Sequence, residues 1–182
     1  RLNMQSAVKT RSILMFLGPL IHDFKQFKLP HAGGCRLGKR TVAPHFFALE
    51  KMGVKIETLE NSYKVSVKKL KPAEIVLYES GDTVTANAIM AAAKIPGATT
   101  IKFASANYQV QDICFFLLKF GVKIEGIGTT TLVIHGVLEM NQDMEYYPSE
   151  DPIETMLFLS MAATTNSSLT IKRCPIDFLE LE

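Results

Sequence analysis

The fold is decided by a stretch that occurs twice: FALEKMGVKIE at residues 47–57 returns as FFLLKFGVKIE at residues 115–125. A second pair of matches accompanies it, because AAA at 91–93 returns as MAA at 161–163 and the same TIK tripeptide follows each. Self-similarity at a regular spacing is the signature of a repeat architecture. The sequence therefore predicts a fold built by repetition.

Each repeat is predicted to run helix, strand, helix, strand, strand. In the first repeat, the apolar run 13–20 predicts a helix ending near Phe24, and residues 27–29 predict a short strand. Pro44 suits the first turn of a second helix, and Gly53 suits its end, where a left-handed residue is common. That helix is expected to bury Phe46, Leu49 and Met52. Residues 54–57 and 63–67 alternate in polarity and are expected to pair as strands.

The second repeat follows the same plan, with helices predicted at 84–94 and 109–120. The latter carries apolar side chains at helical spacing, which predicts that Cys114 is inert core. The residues of this stripe are Val110, Ile113, Cys114, Leu117 and Leu118. A third repeat opens at Asp151, where Pro152 and Glu154 resemble a capping box, and is predicted to stop after a strand at 169–172.

The repeats define the expected organisation of the chain. Residues 1–149 are predicted to form two repeat units of one domain, and residues 150–182 the truncated start of the next unit. The expected fold class is α/β.

Length and composition favour a globular protein. The chain has 182 residues, of which 47% are hydrophobic and 21% charged, values that argue against disorder. The net charge of +2 is too small to indicate nucleic-acid binding. Basic residues cluster at 25–40 and 64–71, where either a solvated face or a site for a phosphorylated small molecule would account for them.

The three cysteines, Cys35, Cys114 and Cys174, suit neither a disulfide framework nor a CxxC metal site, so we expect a reducing cytoplasm and no metal. No apolar run is long enough to span a membrane, and no signal-peptide pattern is visible. The first residue is Arg1, so we expect a fragment or a processed chain.

One loop interrupts the regularity of the repeats. Between the first strand and second helix of the first repeat lie Pro30 and the residues that follow it up to Arg40, whereas the second repeat has only residues 104–108 there. Three cations, Arg36, Lys39 and Arg40, stand within five residues of Cys35, and nearby positive charge stabilises a thiolate. A reactive cysteine on an exposed, mobile loop and an ordinary flexible loop both fit this composition.

The loop resembles that of a known family. Leu29-Pro30, then Gly33-Gly34-Cys35, Gly38 and Arg40 are similar to the L-P-G-G-C-x-I-G-x-R motif of the UDP-N-acetylglucosamine 1-carboxyvinyltransferases. The similarity continues through most of the chain. It includes Lys9-Thr10-Arg11-Ser12, Leu17-Gly18-Pro19-Leu20, Gly121-Val122-Lys123-Ile124 and Gly128-Thr129.

The resemblance implies an inside-out α/β barrel of βαβαββ units, incomplete here, with helices inside and sheets outside. It implies a cytoplasmic enzyme of peptidoglycan synthesis that transfers the enolpyruvyl group of phosphoenolpyruvate to the 3-hydroxyl of UDP-N-acetylglucosamine and releases phosphate. Cys35 then matches the catalytic loop cysteine that fosfomycin alkylates. Arg40 and Arg11 match arginines that contact substrate phosphates, and Gly34 and Lys39 belong to the same substrate-binding loop.

The net charge and the lack of a long apolar run predict that neither nucleic acid nor a membrane is a partner, and no cofactor is expected. The resemblance implies a site completed by the rest of a two-domain enzyme. We therefore expect the chain alone to be inactive. Ala43 and Asp82 depart from the family pattern on the side of the sugar nucleotide, which predicts weaker binding of UDP-N-acetylglucosamine. A catalytically silent or divergent paralogue that acts as a binding or interaction domain is the alternative.

Overall fold

The computed structural model describes residues 4–33 and 41–179. The chain forms two compact units, with the division between Gln142 and Asp143. This division lies in a segment without regular structure. The division separates compact units and does not locate the ends of the sequence repeats. The predicted boundary between repeat units, at residues 149 and 150, therefore stays a prediction.

The first repeat begins with short helical pieces and ends in an antiparallel sheet. Helix α1 (Met4–Ala7) precedes a 3-10 helix (Arg11–Phe16) that continues into α2 (Leu17–Leu20). Strand β1 (Gln26–Pro30), helix α3 (Ala43–Lys51) and strands β2 (Val54–Thr58) and β3 (Ser62–Val67) follow. The sheet has the order β1-β3-β2, and Ile56 lies opposite Val65.

The second repeat has the same order of elements with one strand added in front. It comprises β4 (Glu74–Val76), α4 (Asp82–Ala92), β5 (Gly97–Lys102), α5 (Tyr108–Lys119), β6 (Lys123–Glu125) and β7 (Thr131–Gly136). These strands form a sheet of order β4-β5-β7-β6, in which β4 and β5 are parallel and the other pairs antiparallel. The predicted repeat of helix and strand order is confirmed.

Helix α4 is the centre of the first compact unit. Helices α2, α3 and α5 and strands β5 and β7 all pack against it. Every residue from Val84 to Ile89 is buried, as are Ala91 and Ala92. A helix buried on all sides belongs inside a core, and alanines let its neighbours approach closely. The helices therefore lie inside and the sheets outside, the inside-out α/β arrangement that was expected.

The side chains predicted to form the core of the first repeat are mostly in it. Leu49 and Met52 are fully buried, and Phe46 is half-buried against the core. Gly53 has a φ of +99°, so it adopts the left-handed conformation predicted for the end of α3. On α5, Val110, Cys114 and Leu117 are buried, Ile113 is half-buried and Leu118 is exposed.

Two predicted elements differ from the structure. The helix expected from residue 13 to near Phe24 is a 3-10 helix followed by one turn of α-helix, and it ends at Leu20. The strand predicted at 169–172 is wrong, since these residues form no strand. A strand needs a hydrogen-bonded neighbour, and the described residues from 143 to 179 contain no other strand.

The second compact unit contains helix α6 (Pro152–Thr164) and a short 3-10 helix (Ile176–Phe178). Asp151 caps α6 as predicted, because its carboxylate accepts hydrogen bonds from the backbone N–H groups of Ile153 and Glu154. This confirms that a new helix begins at the point that the repeat predicts.

Candidate active site

Arg11 is the predicted site residue that the structure describes. It begins the 3-10 helix, whose N-cap Thr10 accepts a hydrogen bond from the backbone N–H of Ser12. The Arg11 Nη2 donates a hydrogen bond to the backbone oxygen of Thr41 at 2.8 Å. Arg11 is thus fastened to the residue that directly follows Arg40 in the sequence.

A cavity of about 560 Å³ opens beside Arg11. A volume of this size is in the ordinary range for small-molecule pockets. The pocket lies where the first turns of α3 and α4 meet the start of the 3-10 helix. Its lining residues are Arg11, Thr41, His45, Glu79, Ser80, Gly81, Asp82 and Thr83.

The carboxylate of Asp82 is held by the segment between β5 and α5. Its Oδ1 accepts a hydrogen bond from Ser105 Oγ at 2.5 Å, and its Oδ2 accepts one from Asn107 Nδ2 at 3.1 Å. Asn107 also caps α5, since its Oδ1 accepts from the backbone N–H of Gln109. Asp82 therefore ties the start of α4 to the start of α5, and both carboxylate oxygens have hydrogen-bond donors.

Thr85 adds a second tie at the same point. Its hydroxyl donates to the backbone oxygen of Gly81 at 2.8 Å and accepts from the backbone N–H of Ser105 at 3.0 Å. The N-terminus of α4, which forms one wall of the pocket, is therefore hydrogen-bonded to the segment before α5 before any ligand binds. Preformed polar groups of this kind are typical of binding sites.

His45 forms the buried floor of the pocket. Only 3% of its surface is exposed, and its Nδ1 is 3.1 Å from Asn87 Nδ2. Burial and, to a smaller extent, the positive charge of Arg11 lower the pKa of the His45 imidazole from 6.5 to about 4. The ring is therefore neutral at physiological pH, and Arg11 supplies the positive charge among the described residues that line the pocket.

Sequence reasoning did not single out His45 or Asn87. A histidine directly after Pro44 and a lone amide within the alanine-rich stretch 86–93 were the signals available. A polar side chain at the buried centre of an apolar helix needs a hydrogen-bond partner. Asn87 therefore indicated that a polar group on another element lies close to it. Nothing in the spacing of the chain identified that partner.

The other predicted site residues lie outside the described residues. These are Gly34, Cys35, Lys39 and Arg40. Their roles remain predictions from the sequence. Of the other two cysteines, Cys114 is fully buried, and burial raises the pKa of its thiol to about 12. The prediction that Cys114 is inert core is thus confirmed.

The fold corresponds to that of a known class of enzyme. The chain matches the EPSP synthase (3-phosphoshikimate 1-carboxyvinyltransferase) family over residues 1–181, and it belongs to that family. Within the family, its curated relatives include UDP-N-acetylglucosamine 1-carboxyvinyltransferases. The protein of that name from Bradyrhizobium diazoefficiens is 35% identical over 98% of this chain and 41% of its own length.

Further relatives agree with this result. The UDP-N-acetylglucosamine 1-carboxyvinyltransferase of Shewanella denitrificans is 41% identical over 89% of this chain and 39% of its own length. That of Treponema denticola is 38% identical over 91% of this chain and 38% of its own length. The chain thus spans roughly two fifths of the length of the curated relatives it matches.

Solved structures show the same fold at lower identity. The enolpyruvyl transferase NikO from Streptomyces tendae superimposes with a TM-score of 0.63 at 20% identity, covering 80% of this chain and 35% of that one. EPSP synthase from Acinetobacter baumannii gives a TM-score of 0.52 at 18% identity, covering 70% of this chain and 29% of that one. None of the helices in 4–33 and 41–179 has the length and apolar character needed to cross a membrane.

Proposed function

We propose that this chain is part of a cytoplasmic enolpyruvyl transferase that acts on phosphoenolpyruvate and UDP-N-acetylglucosamine in peptidoglycan precursor synthesis. The observation that carries the proposal is the family match over residues 1–181, together with relatives that bear this enzyme's name. The Arg11 pocket supports it, because phosphorylated substrates need a fixed cation.

The proposed reaction exchanges one C–O bond for another. The 3-hydroxyl of the sugar loses its proton as its oxygen adds to C2 of phosphoenolpyruvate, and C3 gains a proton, which gives a tetrahedral ketal. Loss of a proton from C3 and of phosphate from C2 then restores the double bond. Negative charge must be held on the phosphate and carboxylate throughout, and paired cations supply that stabilisation.

Residues of this chain are assigned to these steps as proposals. Arg11 holds a substrate phosphate from the wall of the pocket, and Arg40 holds the phosphate of phosphoenolpyruvate. Cys35 acts in proton transfer at C3 and in product release, and it is the expected target of fosfomycin. Gly34 and Lys39 contribute backbone N–H groups and charge to the same loop. The rest of the two-domain enzyme completes the site.

The test is turnover by the full-length protein. Phosphate release should require both phosphoenolpyruvate and UDP-N-acetylglucosamine, and mass spectrometry should identify the enolpyruvyl sugar nucleotide. Cys35→Ala should abolish or strongly reduce turnover, whereas Cys174→Ala, a change outside the predicted substrate-binding loop, should leave it within about twofold of wild type.

The alternative of a divergent paralogue has its own support. Asp82 places a carboxylate in the pocket near the position where a diphosphate is expected, and Ala43 has no polar side chain. Equilibrium binding of UDP-N-acetylglucosamine to the full-length protein and to Cys35→Ala separates the two hypotheses. Binding without phosphate release, or neither, would favour the paralogue and contradict the transferase proposal.

A further inference from the structure

The side chain of Asn87 is inserted into the backbone of a neighbouring helix. Its Oδ1 accepts a hydrogen bond from the backbone N–H of Gly18 at 2.7 Å, and its Nδ2 donates one to the backbone oxygen of Leu14 at 2.9 Å. In a continuous α-helix those two backbone groups would bond to each other. Asn87 instead forms a hydrogen bond with each of these groups, at the point where the 3-10 helix passes into α2.

These two backbone partners decide which way the Asn87 amide faces. A backbone N–H can only donate and a backbone carbonyl can only accept, so the amide oxygen must face Gly18 and the nitrogen must face Leu14. The remaining Nδ2 proton is then directed at His45 Nδ1, 3.1 Å away. That ring nitrogen is an acceptor and carries no proton. The neutral His45 ring therefore carries its proton on Nε2.

The protonation of His45 matters because of what surrounds the ring. Arg11 faces it from the 3-10 helix, and Glu79 and Asp82 line the same pocket from the approach to α4 and its first residue. A charged imidazolium here would repel Arg11 and pair with the carboxylates. A neutral ring lets the Arg11 guanidinium attract an anion and adds an N–H donor without adding charge.

We propose that Asn87 is a positioning residue for this pocket: its amide holds His45 as a neutral Nε2–H donor toward anionic oxygens of the ligand and fixes the helical turn that follows Arg11. The identity of that ligand as a phosphorylated substrate rests on the proposed function. The hydrogen-bond arrangement itself does not, since it follows from the contacts of Asn87 with Gly18, Leu14 and His45.

The first experiment reads the tautomer directly. Nitrogen-15 NMR of the histidine rings in the full-length protein, with the His45 signal assigned from its loss in His45→Gln, should show the neutral Nε2–H form from pH 5 to pH 8. In Asn87→Asp a carboxylate oxygen replaces Nδ2, so Nδ1 of His45 should become protonated at neutral pH. The matched control is Asn61→Asp, in the exposed turn between β2 and β3, which should leave the His45 signals unchanged.

An Nδ1–H or doubly protonated His45 ring in the wild type at pH 6 would overturn the proposal. So would a folded Asn87→Asp protein in which the ring keeps the wild-type tautomer. If Asn87→Asp does not fold, the wild-type spectrum still tests the proposed tautomer of His45, because that measurement requires no variant at position 87.

The second experiment uses steady-state kinetics to distinguish the role of His45 Nε2, proposed to face the ligand, from that of Nδ1, which contacts Asn87. The amide nitrogen of His45→Gln can replace Nε2, whereas His45→Asn can keep only the contact with Asn87. We expect His45→Asn to raise KM for at least one substrate about tenfold, and His45→Gln to raise it by about threefold or less, with kcat within about threefold in both. Equal KM values for the two variants would contradict the inference.

The outcomes also distinguish this inference from the proposed function. A wild-type protein that releases no phosphate from the two substrates would refute the proposed function, while the NMR test would still stand. Normal turnover with His45 in the Nδ1–H form would refute only the role of Asn87.

Discussion

Asp82 Oδ1 and Ser105 Oγ are 2.5 Å apart, a charge-assisted hydrogen bond that joins the first residue of α4 to the segment before α5. Asn107 Nδ2 donates to the other oxygen of the same carboxylate. Asp82 therefore has two roles that oppose each other. It places negative charge in the wall of a pocket expected to bind anions, and it fastens together two helix N-termini.

The variant Asp82→Ser separates those two roles. Loss of both hydrogen bonds should lower the free energy of unfolding by about 1–3 kcal/mol, measured by urea denaturation. Removal of the carboxylate should at the same time strengthen binding of UDP-N-acetylglucosamine to the full-length protein, measured by calorimetry. The control is Asp23→Ser, because Asp23 is exposed and lies outside the pocket lining. Unchanged or weaker binding by folded Asp82→Ser would show that the Asp82 carboxylate does not weaken nucleotide binding.

The sequence predicted the elements because local periodicity encodes them. The repeated GVKIE segments contribute β2 and β6, and each of these strands pairs antiparallel with the strand that follows it, β3 or β7. The pocket was not predictable in this way. Asn87 and His45, like Asp82 and Ser105, come from different elements, and a contact between two polar side chains leaves no periodic signal in the chain. The strand predicted at 169–172 failed for a related reason, because pairing depends on a neighbour and not on the segment alone.

Gly18 should tolerate no larger residue. A Cβ at this position would lie 2.6 Å from the backbone oxygen of Asn87 and 2.7 Å from its Oδ1, so α2 and α4 would have to move apart. We expect Gly18→Ala to destabilise the protein by about 2–4 kcal/mol, measured by thermal and urea denaturation.

Gly121→Ala is the matched control for this prediction. A Cβ there meets no atom within 4 Å, but the φ of +82° makes alanine strained by about 1 kcal/mol. If Gly18→Ala costs no more than Gly121→Ala, the close approach of the two helices at Gly18 does not constrain the fold.

Replacement of the buried Cys114 sulfur by oxygen should lower the stability of the protein. Cys114 is fully buried in the core, so Cys114→Ser would place a hydroxyl where apolar side chains surround it. The expected loss of stability is about 1–3 kcal/mol, whereas Cys174→Ser, at a half-buried position, should change stability by less than about 1 kcal/mol.

The raised pKa of Cys114 makes a second, chemical expectation. With that pKa at about 12, the thiol should resist iodoacetamide at pH 8 in the folded protein and react only after unfolding. Mass spectrometry of the alkylated peptides separates Cys114 from Cys35 and Cys174. Rapid labelling of Cys114 in the folded state would contradict its burial in the core.

The depressed pKa of His45 predicts how stability depends on pH. Burial, reinforced by Arg11, lowers the pKa of the folded protein's imidazole to about 4, below the 6.5 of the unfolded chain. The unfolded state therefore binds the proton more readily, so the stabilisation is complete above pH 6.5 and is lost as the pH falls from 6.5 toward 4. Between pH 7 and pH 5 the free energy of unfolding should fall by about 2 kcal/mol from this residue alone.

His45→Gln should remove this contribution, so the difference in unfolding free energy between wild type and variant should shrink from pH 7 to pH 5. Urea denaturation at the two pH values measures that difference and cancels titrations shared by both proteins. The control is Asn61→Gln, in the exposed turn between β2 and β3, because this change neither adds nor removes a titrating group. The free energy of unfolding of this control should change with pH as that of the wild type does. If His45→Gln shows the same pH dependence as the wild type, His45 takes up a proton as readily in the folded protein as in the unfolded chain, and the prediction is wrong.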